Sequence, residues 1–185
     1  LLKGDILINL DSETEGELYV GCAGGLDTNA EFKYKEEALP KDLVQFEVAV
    51  KGLRGGHSGM EINEGRGNSN KIMARLLLPI LRDMGGRLIC IEGGNMRNAI
   101  PREAVAYIAV PANKVSKAKK HVQKVTAEVK SEYKPIDPGV EVYFTKSEGA
   151  KKCIPAEVAV KAMQAVYACP CGVDRMSLVM DNLVD

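Results

Sequence analysis

The feature that most constrains the fold is a change in the spacing of apolar residues between positions 44 and 145. Every second residue from 44 to 50 is a large apolar one, which predicts a strand with one buried face. From 68 to 84 the apolar residues recur every three to four positions, which predicts a helix that ends at a pair of glycines. Pro79 lies inside this helical pattern and is expected to kink the helix or to remove one of its hydrogen bonds.

The spacing then continues as strand, strand, helix and strand. The three strands are predicted at 87–92, 103–110 and 140–145, and the helix is expected to start after a cap at Asn113 and to run through Val129. With the first strand and helix, this gives the order β-α-β-β-α-β, which is typical of an antiparallel sheet with both helices on one face. The predicted fold class is therefore α+β.

Other segments flank this unit. Residues 4–10 form a short apolar run suited to a buried strand of a parallel sheet, and a polar connection follows at 28–43. On the other side, Pro155 is expected to open a third helix, the turn at 169–172 to end it, and residues 175–180 to form one more strand. Because the chain starts within a predicted strand and without a methionine, we expect an internal fragment of a longer protein.

The charge balance excludes some classes of function. The chain has 25 basic and 25 acidic residues and a formal net charge of zero, whereas binding to a phosphate backbone depends on excess basic charge. No apolar run approaches the roughly 20 residues that are needed to cross a bilayer. We therefore expect neither a nucleic acid nor a membrane as a partner.

The five cysteines are scattered and odd in number, which does not indicate a disulfide framework. Cys169 and Cys171 are separated by one proline, a closer spacing than the two to four residues usual in zinc sites, and no second pair of ligands accompanies them. A turn that ends a helix in a reducing cytoplasm is the favoured interpretation.

The first segment with candidate site residues is acidic and includes Asp11, Glu13 and Glu15. Carboxylates that follow a parallel strand lie where open α/β sheets usually bind ligands, and their oxygens suit metal ions. Solvated acidic turns are common, and from composition alone such a turn is the favoured interpretation over a metal site.

The second segment is residues 52–59, in which four glycines surround His57. Glycines let the backbone approach a ligand closely, and an imidazole there can donate a hydrogen bond to a developing oxyanion. The alternative is a structural histidine bonded to the backbone. Ser58 follows His57 directly, which is poor geometry for activation by a base, so a serine hydrolase is not expected. The only other histidine, His121, is expected to cap its helix or to face solvent.

The third segment is the loop 93–101, which carries Arg97 and Asn98 between glycines and a proline. A guanidinium and an amide are donors that suit a carboxylate ligand. The alternative is that Asn98 forms a local turn with its own backbone.

Four segments, in this order along the chain, resemble bacterial aminoacyl-histidine dipeptidases (also called cytosol non-specific dipeptidases), which are M20 metallopeptidases. They are Asn-Leu-Asp-Ser-Glu-Thr-Glu-Gly-Glu at 9–17 with Gly-Cys-Ala-Gly-Gly at 21–25, Lys-Gly-Leu-Arg-Gly-Gly-His-Ser-Gly at 51–59, Arg-Asn-Ala-Ile-Pro-Arg-Glu-Ala at 97–104, and Gly172-Val173 with Arg175-Met176-Ser177 and Leu183-Val184. The resemblance implies a catalytic α/β domain with two zinc ions and an inserted α+β lid of ferredoxin-like layout. Residues 1–25 then correspond to the end of the catalytic domain, and residues 26–185 to the lid or dimerisation domain, incomplete at its C-terminal end.

The resemblance also implies roles for four residues. Asp11 matches a zinc-ligand aspartate, and His57 matches the lid histidine that reaches the scissile carbonyl oxygen. Asn98 matches the asparagine that holds the terminal carboxylate of the substrate, and Arg97 lies beside it. The other metal ligands of the family and its general-base glutamate have no counterpart in the chain. We therefore expect this fragment alone to bind no catalytic zinc and to hydrolyse nothing.

The parent enzyme that the resemblance implies is a cytoplasmic dipeptidase for Xaa-His or a broader range of dipeptides, and a homodimer is one assembly open to it. The main rival hypothesis is a non-catalytic ferredoxin-like module for dimerisation or small-ligand binding. A second rival is an RNA-binding domain of the same topology, which the zero net charge and the lack of tryptophan and of an aromatic-rich strand disfavour.

Overall fold

The computed structural model describes residues 3–6, 8, 15–19 and 24–179, and its contacts divide the chain into two units, 1–31 and 32–185. The described residues of the first unit lie in neither a helix nor a strand.

The strand predicted at 4–10 is therefore not found at residues 4–6 and 8, and the remainder of that segment lies outside the described residues, as does Asp11. The assignment of residues 1–25 and 26–185 to two domains stays a prediction.

The second unit contains a sequence of strands and helices that agrees with the predicted order. In chain order they are β1 (Glu37–Ala38), β2 (Leu43–Lys51), β3 (Gly56–His57), α1 (Ser69–Asp83), β4 (Arg87–Gly93), β5 (Ala99–Ile100), β6 (Ala104–Pro111), α2 (Val115–Tyr133), β7 (Glu141–Lys146), β8 (Lys152–Cys153) and α3 (Ala156–Ala168).

The main sheet has four antiparallel strands in the order β4-β6-β2-β7. The helix α1 lies between β2 and β4 in the chain, and α2 connects β6 to β7, so each helix joins two strands that are not neighbours in the sheet. In β2, Phe46 pairs with Ile108 of β6, and Val48 pairs with Phe144 of β7. The predicted β-α-β-β-α-β order and the α+β class with its ferredoxin-like layout are confirmed.

The alternation predicted for β2 places its large apolar side chains on the face that carries the helices. Phe46, Val48 and Val50 belong to the same buried cluster as residues of α1 and α2. On the opposite face, Tyr107 donates a hydrogen bond of 2.8 Å to the carboxylate of Glu47. One face of the sheet therefore forms the core, and the other is more polar.

The helix α1 begins as its sequence predicts and runs through Pro79 to Asp83 without interruption. The Asn68 side chain caps it and accepts hydrogen bonds from the N–H groups of Asn70 and Lys71. The cap predicted at Asn113 is wrong, because that residue lies in a 3₁₀ turn, Ala112–Lys114, which leads into α2 without a side-chain cap.

Two more predictions concern the segment after β7. Pro155 precedes α3 as expected, and Cys169 follows its last residue, so the helix-ending turn is confirmed. The strand predicted at 175–180 is wrong for its described residues, because only Met176 makes an isolated bridge there. A strand requires a continuous ladder along its length, and among residues 175–179 only Met176 is assigned a bridge.

A lysine of α1 binds the C-terminal end of α3. The Lys71 ammonium donates to the carbonyls of Val166 (3.2 Å), Tyr167 and Cys169 (2.7 Å). A cation near the last carbonyls of a helix satisfies acceptors that have no partner in the helix itself.

We expect Lys71→Met, which keeps most of the aliphatic stem, to lower the free energy of unfolding by about 1–2 kcal/mol. Amide exchange should quicken at 166–171 more than in α1. The control is Lys161→Met, which removes only an exposed ion pair with Glu157 within α3 and should change little. Equal effects of the two substitutions on exchange at 166–171 would contradict the assigned cap.

Candidate functional site

A two-stranded ladder brings together the second and third segments that the sequence singled out. β3 pairs with β5 antiparallel, so that Gly56 lies opposite Ile100 and His57 opposite Ala99. One step further, the Ser58 N–H donates to the Asn98 carbonyl oxygen at 3.0 Å. His57 and Asn98 are therefore near neighbours, although 41 positions separate them in the chain (98 minus 57).

Arg97 and Asn98 occupy the centre of a tight turn that leads into β5. The Ala99 N–H donates to the Met96 carbonyl oxygen at 3.2 Å and closes this turn. Both central residues are exposed. The turn therefore presents a guanidinium and an amide to solvent beside His57, and their predicted roles in binding stay predictions.

The hydrogen bonds of the His57 ring fix the position of its proton. Nδ1 accepts from the backbone N–H groups of Gly59 (3.0 Å) and Met60 (3.2 Å). An amide nitrogen can only donate, so Nδ1 carries no hydrogen, and in the neutral ring the hydrogen lies on Nε2. His57 is exposed, so this Nε2–H is a donor that a ligand oxygen can reach.

The turn after His57 is closed by Glu61 at both ends. The His57 N–H donates to the Glu61 carboxylate at 2.6 Å, and the Glu61 N–H donates to the His57 carbonyl at 3.2 Å. Arg66, whose side chain is only 10% exposed, holds the other Glu61 oxygen at 2.6 Å and also donates to the Gly55 carbonyl. These contacts give the turn a defined shape.

The hydrogen bond from the His57 N–H, assisted by the hydrogen bond and charge of Arg66, holds the pKa of Glu61 below its usual range. For a carboxyl whose folded-state pKa is lowered, the contribution to stability is complete above the unfolded-state pKa, about 4.3. It is lost as the pH falls through the lower folded-state value.

We expect the His57 amide proton resonance to titrate with a midpoint below about 4.3, the ordinary glutamate pKa. The measurement is an NMR titration of this chain in acid, with Glu61→Gln as the control that removes the titrating group. A midpoint at or above the ordinary glutamate value would contradict the bond between Glu61 and His57.

The buried carboxylate of Asp137 closes the whole loop that carries His57. This residue follows α2 and is 0% exposed. One oxygen accepts the Arg54 N–H and the other accepts the Gly67 N–H, both at 2.7 Å. The two ends of the segment 54–67 are therefore held by one side chain, with β3 between them.

A cleft of about 760 Å³ opens beside the β3–β5 ladder. Its lining includes Gly56, Ala99, Met96 and the two arginines Arg54 and Arg102. The Arg54 and Arg102 side chains were not singled out by the sequence reasoning, because each lies in a glycine- or proline-containing loop that shows no regular spacing.

The metal prediction is not tested by the described residues. Asp11 lies outside them, and within residues 24–179 and the shorter described stretches no three His, Cys, Asp or Glu side chains form a group that could hold an ion. The described residues therefore do not form a zinc site on their own. In the same part of the chain, no helix combines the length and apolar character that crossing a membrane requires.

Comparison with known proteins gives three concordant results. The model of the peptidase dimerisation domain of the M20 family matches residues 48–137. The cytosol non-specific dipeptidase of Escherichia coli K12 is 40% identical over 184 residues, which cover all of this chain and 38% of that protein. The crystal structure of an aminoacylhistidine dipeptidase from Vibrio alginolyticus superposes with a TM-score of 0.80 and 32% identity, over 83% of this chain and 31% of that one.

The range 48–137 that matches the peptidase dimerisation domain includes α1, α2 and the His57 loop, so these elements belong to that class of domain. Residues 48–137 match the M20 dimerisation domain, and the chain is similar to aminoacyl-histidine, or cytosol non-specific, dipeptidases, as the resemblance indicated. It spans between about three and four tenths of the length of these two relatives.

Proposed function

We propose that this chain is the lid portion of a metal-dependent dipeptidase, in which His57 donates a hydrogen bond to the oxygen of the scissile carbonyl. The observation that carries the proposal is the ring geometry of this exposed residue, in which Nδ1 accepts from two backbone N–H groups and Nε2–H remains as the donor. Such a donor stabilises an oxygen whose negative charge develops as the peptide carbon becomes tetrahedral. The proton stays on Nε2, because the ring acts as a hydrogen-bond donor and not as a base.

Asn98 completes the proposed site by holding the terminal carboxylate of the substrate through its side-chain amide, with the Arg97 guanidinium beside it. The scissile carbonyl and the terminal carboxylate of a dipeptide are one residue apart, or about 3.3–3.6 Å along an extended chain. Neighbouring strands lie about 4.7–4.9 Å apart. Donors on β3 and on the turn that leads into the adjacent β5 therefore suit a ligand of this length.

The enzyme as a whole is proposed to use zinc, to which Asp11 contributes one carboxylate. Zinc supplies an activated water and polarises the carbonyl when it is bound. Support for a metal comes from the match to the M20 dimerisation domain and from the resemblance of Asp11 to a ligand position.

A homodimer and a cytosolic location are also proposed. The family that matches residues 48–137 is described as a dimerisation domain, and the Escherichia coli relative is named as a cytosol enzyme. Within the described residues β7 pairs only with β2, so its outer edge is free to pair with another chain.

The test is hydrolysis of an Xaa-His dipeptide and of dipeptides without histidine by the full-length protein that carries this chain, with zinc content measured in parallel. We expect cleavage and about two zinc ions per chain, as a di-zinc centre requires. A full-length protein that binds no metal and cleaves no dipeptide would contradict the proposal. It would favour instead a non-catalytic ferredoxin-like module for dimerisation or small-ligand binding.

A further inference from the structure

We propose that Glu61 is a positioning residue for His57: it closes the turn 57–61 from both sides and so fixes the imidazole with its hydrogen on Nε2. The geometry of the ring is observed in this chain and does not depend on the proposed function. Its consequence for catalysis rests on the proposed function, in which Nε2–H is the donor to the substrate.

The turn has few other sources of order. The N–H groups of Gly59 and Met60 reach Nδ1 only when the chain reverses direction directly after His57. Glu61 ties both backbone groups of His57, since its carboxylate accepts the His57 N–H and its own N–H donates to the His57 carbonyl. The backbone bond does not depend on the side chain, so the carboxylate bond to the His57 N–H is the part of this closure that a substitution at position 61 removes.

Gly56 and Gly59 leave the space that this arrangement requires. A β-carbon at Gly56 would lie 2.6 Å from the Glu61 carboxylate oxygen and would also collide with the Arg66 guanidinium. A β-carbon at Gly59 would lie 3.1 Å from two atoms of the His57 ring. The two glycines therefore allow the carboxylate to approach the turn from one side and the backbone to approach the ring from the other.

Glu64 provides a matched comparison for Glu61. Both carboxylates bind Arg66, at 2.8 Å for Glu64 and 2.6 Å for Glu61, and both side chains are partly exposed. Only Glu61 accepts the His57 N–H. A general effect of the charge cluster would therefore follow from removing either glutamate, whereas an effect on the His57 ring should follow from removing Glu61 alone.

The experiment is a long-range ¹H–¹⁵N NMR correlation of the histidine side chains in this chain at about pH 8, where histidine is neutral. The chain has two histidines, so a His121→Gln variant assigns the His57 signals. We expect His57 to show one tautomer with its hydrogen on Nε2. In Glu61→Ala the two ring nitrogens should shift toward the averaged values of an exchanging ring, and in Glu64→Ala they should not.

An averaged His57 ring in the unaltered chain would overturn the proposal, and so would a pure Nε2–H tautomer in a folded Glu61→Ala protein. If Glu61→Ala does not fold, Glu61→Met replaces it, because the methionine side chain fills a similar volume but offers the His57 N–H no oxygen acceptor. The shift toward averaged values is then expected, and a shift equal to that of Glu64→Ala would contradict the role of Glu61.

In the full-length enzyme, Glu61→Ala should lower kcat by about 10²-fold, the loss typical of a displaced catalytic group, with zinc content unchanged. This second readout separates two failures. If the ring tautomer changes but His57→Ala leaves kcat unaltered, the proposed function fails while the positioning role stands. If His57→Ala abolishes turnover but Glu61→Ala alters neither tautomer nor kcat, only the positioning role fails.

Discussion

Replacing His57 by alanine in the full-length protein is expected to lower kcat by a factor on the order of 10²–10³, the loss that follows from removing one donor to an oxyanion. The imidazole offers its Nε2–H to an oxygen that is most negative in the transition state, so kcat should fall more than KM rises. Zinc content should stay the same, because the ring is not proposed as a metal ligand. Steady-state kinetics with metal analysis of each preparation provide the measurement.

His121→Gln is the matched control for this substitution. The His121 ring is partly buried on α2, where Nε2 lies 3.1 Å from the Leu76 carbonyl oxygen of α1. It therefore bridges two helices instead of capping its own helix or facing solvent, as the sequence suggested. Its replacement should cost stability and leave kcat near that of the parent. A His57→Ala enzyme with unaltered kcat would refute the role of His57.

Replacing Asp137 by alanine is expected to lower the free energy of unfolding by about 2–4 kcal/mol, because the N–H groups of Arg54 and Gly67 lose their shared acceptor. Each buried donor that is left without a partner costs about 1–3 kcal/mol. Asp137→Asn should be less damaging, since its one remaining oxygen can satisfy one N–H while its amide group faces the other. Urea unfolding of this chain is the measurement.

Asp42→Ala is the control, because Asp42 is an exposed aspartate that precedes β2. Its replacement should change the unfolding free energy little. Equal values for the two alanine variants would show that Asp137 does not hold the loop. The loss of the Asp137 hydrogen bonds should also loosen the candidate site, because β3 with His57 lies between Arg54 and Gly67, the two residues that Asp137 binds.

The main sheet and helices could be predicted because each is long enough to show its period. β2 extends over nine residues and α1 over fifteen, so alternate or helical spacing of buried side chains is visible in the sequence. Residues 175–179, which were predicted to belong to a strand and do not form one, show the opposite case. A short apolar run has the composition of a strand, but a strand forms only where a neighbour offers its backbone groups.

The arrangement of the candidate residues could not be predicted from their spacing in the sequence. β3 and β5 have two residues each, too few for any periodic pattern, so nothing in the residues placed His57 beside Asn98. The expectation that His57 and Asn98 bind the same substrate came instead from the resemblance to M20 peptidases.

The residues that hold the His57 loop in place could not be recognised in the sequence for a related reason. Asp137 precedes a proline and a glycine in the sequence and has the appearance of an ordinary turn residue, although it is buried and binds two distant N–H groups. Glu61 and Arg66 are charged residues of a loop, which are usually solvated. Their role in holding the turn after His57 becomes visible only in the structure, where Glu61 accepts the His57 N–H and Arg66 binds Glu61.

The affinity of the full-length protein for a phosphinic dipeptide analogue, which imitates the tetrahedral intermediate, tests the role of His57 most directly. The dissociation constant of the His57→Ala variant for this analogue should be on the order of 10²–10³ times that of the parent. Both proteins should bind a product amino acid, which has no tetrahedral centre, with equal affinity. An equal dissociation constant of the analogue for both proteins would contradict a hydrogen bond from His57 to the developing oxyanion.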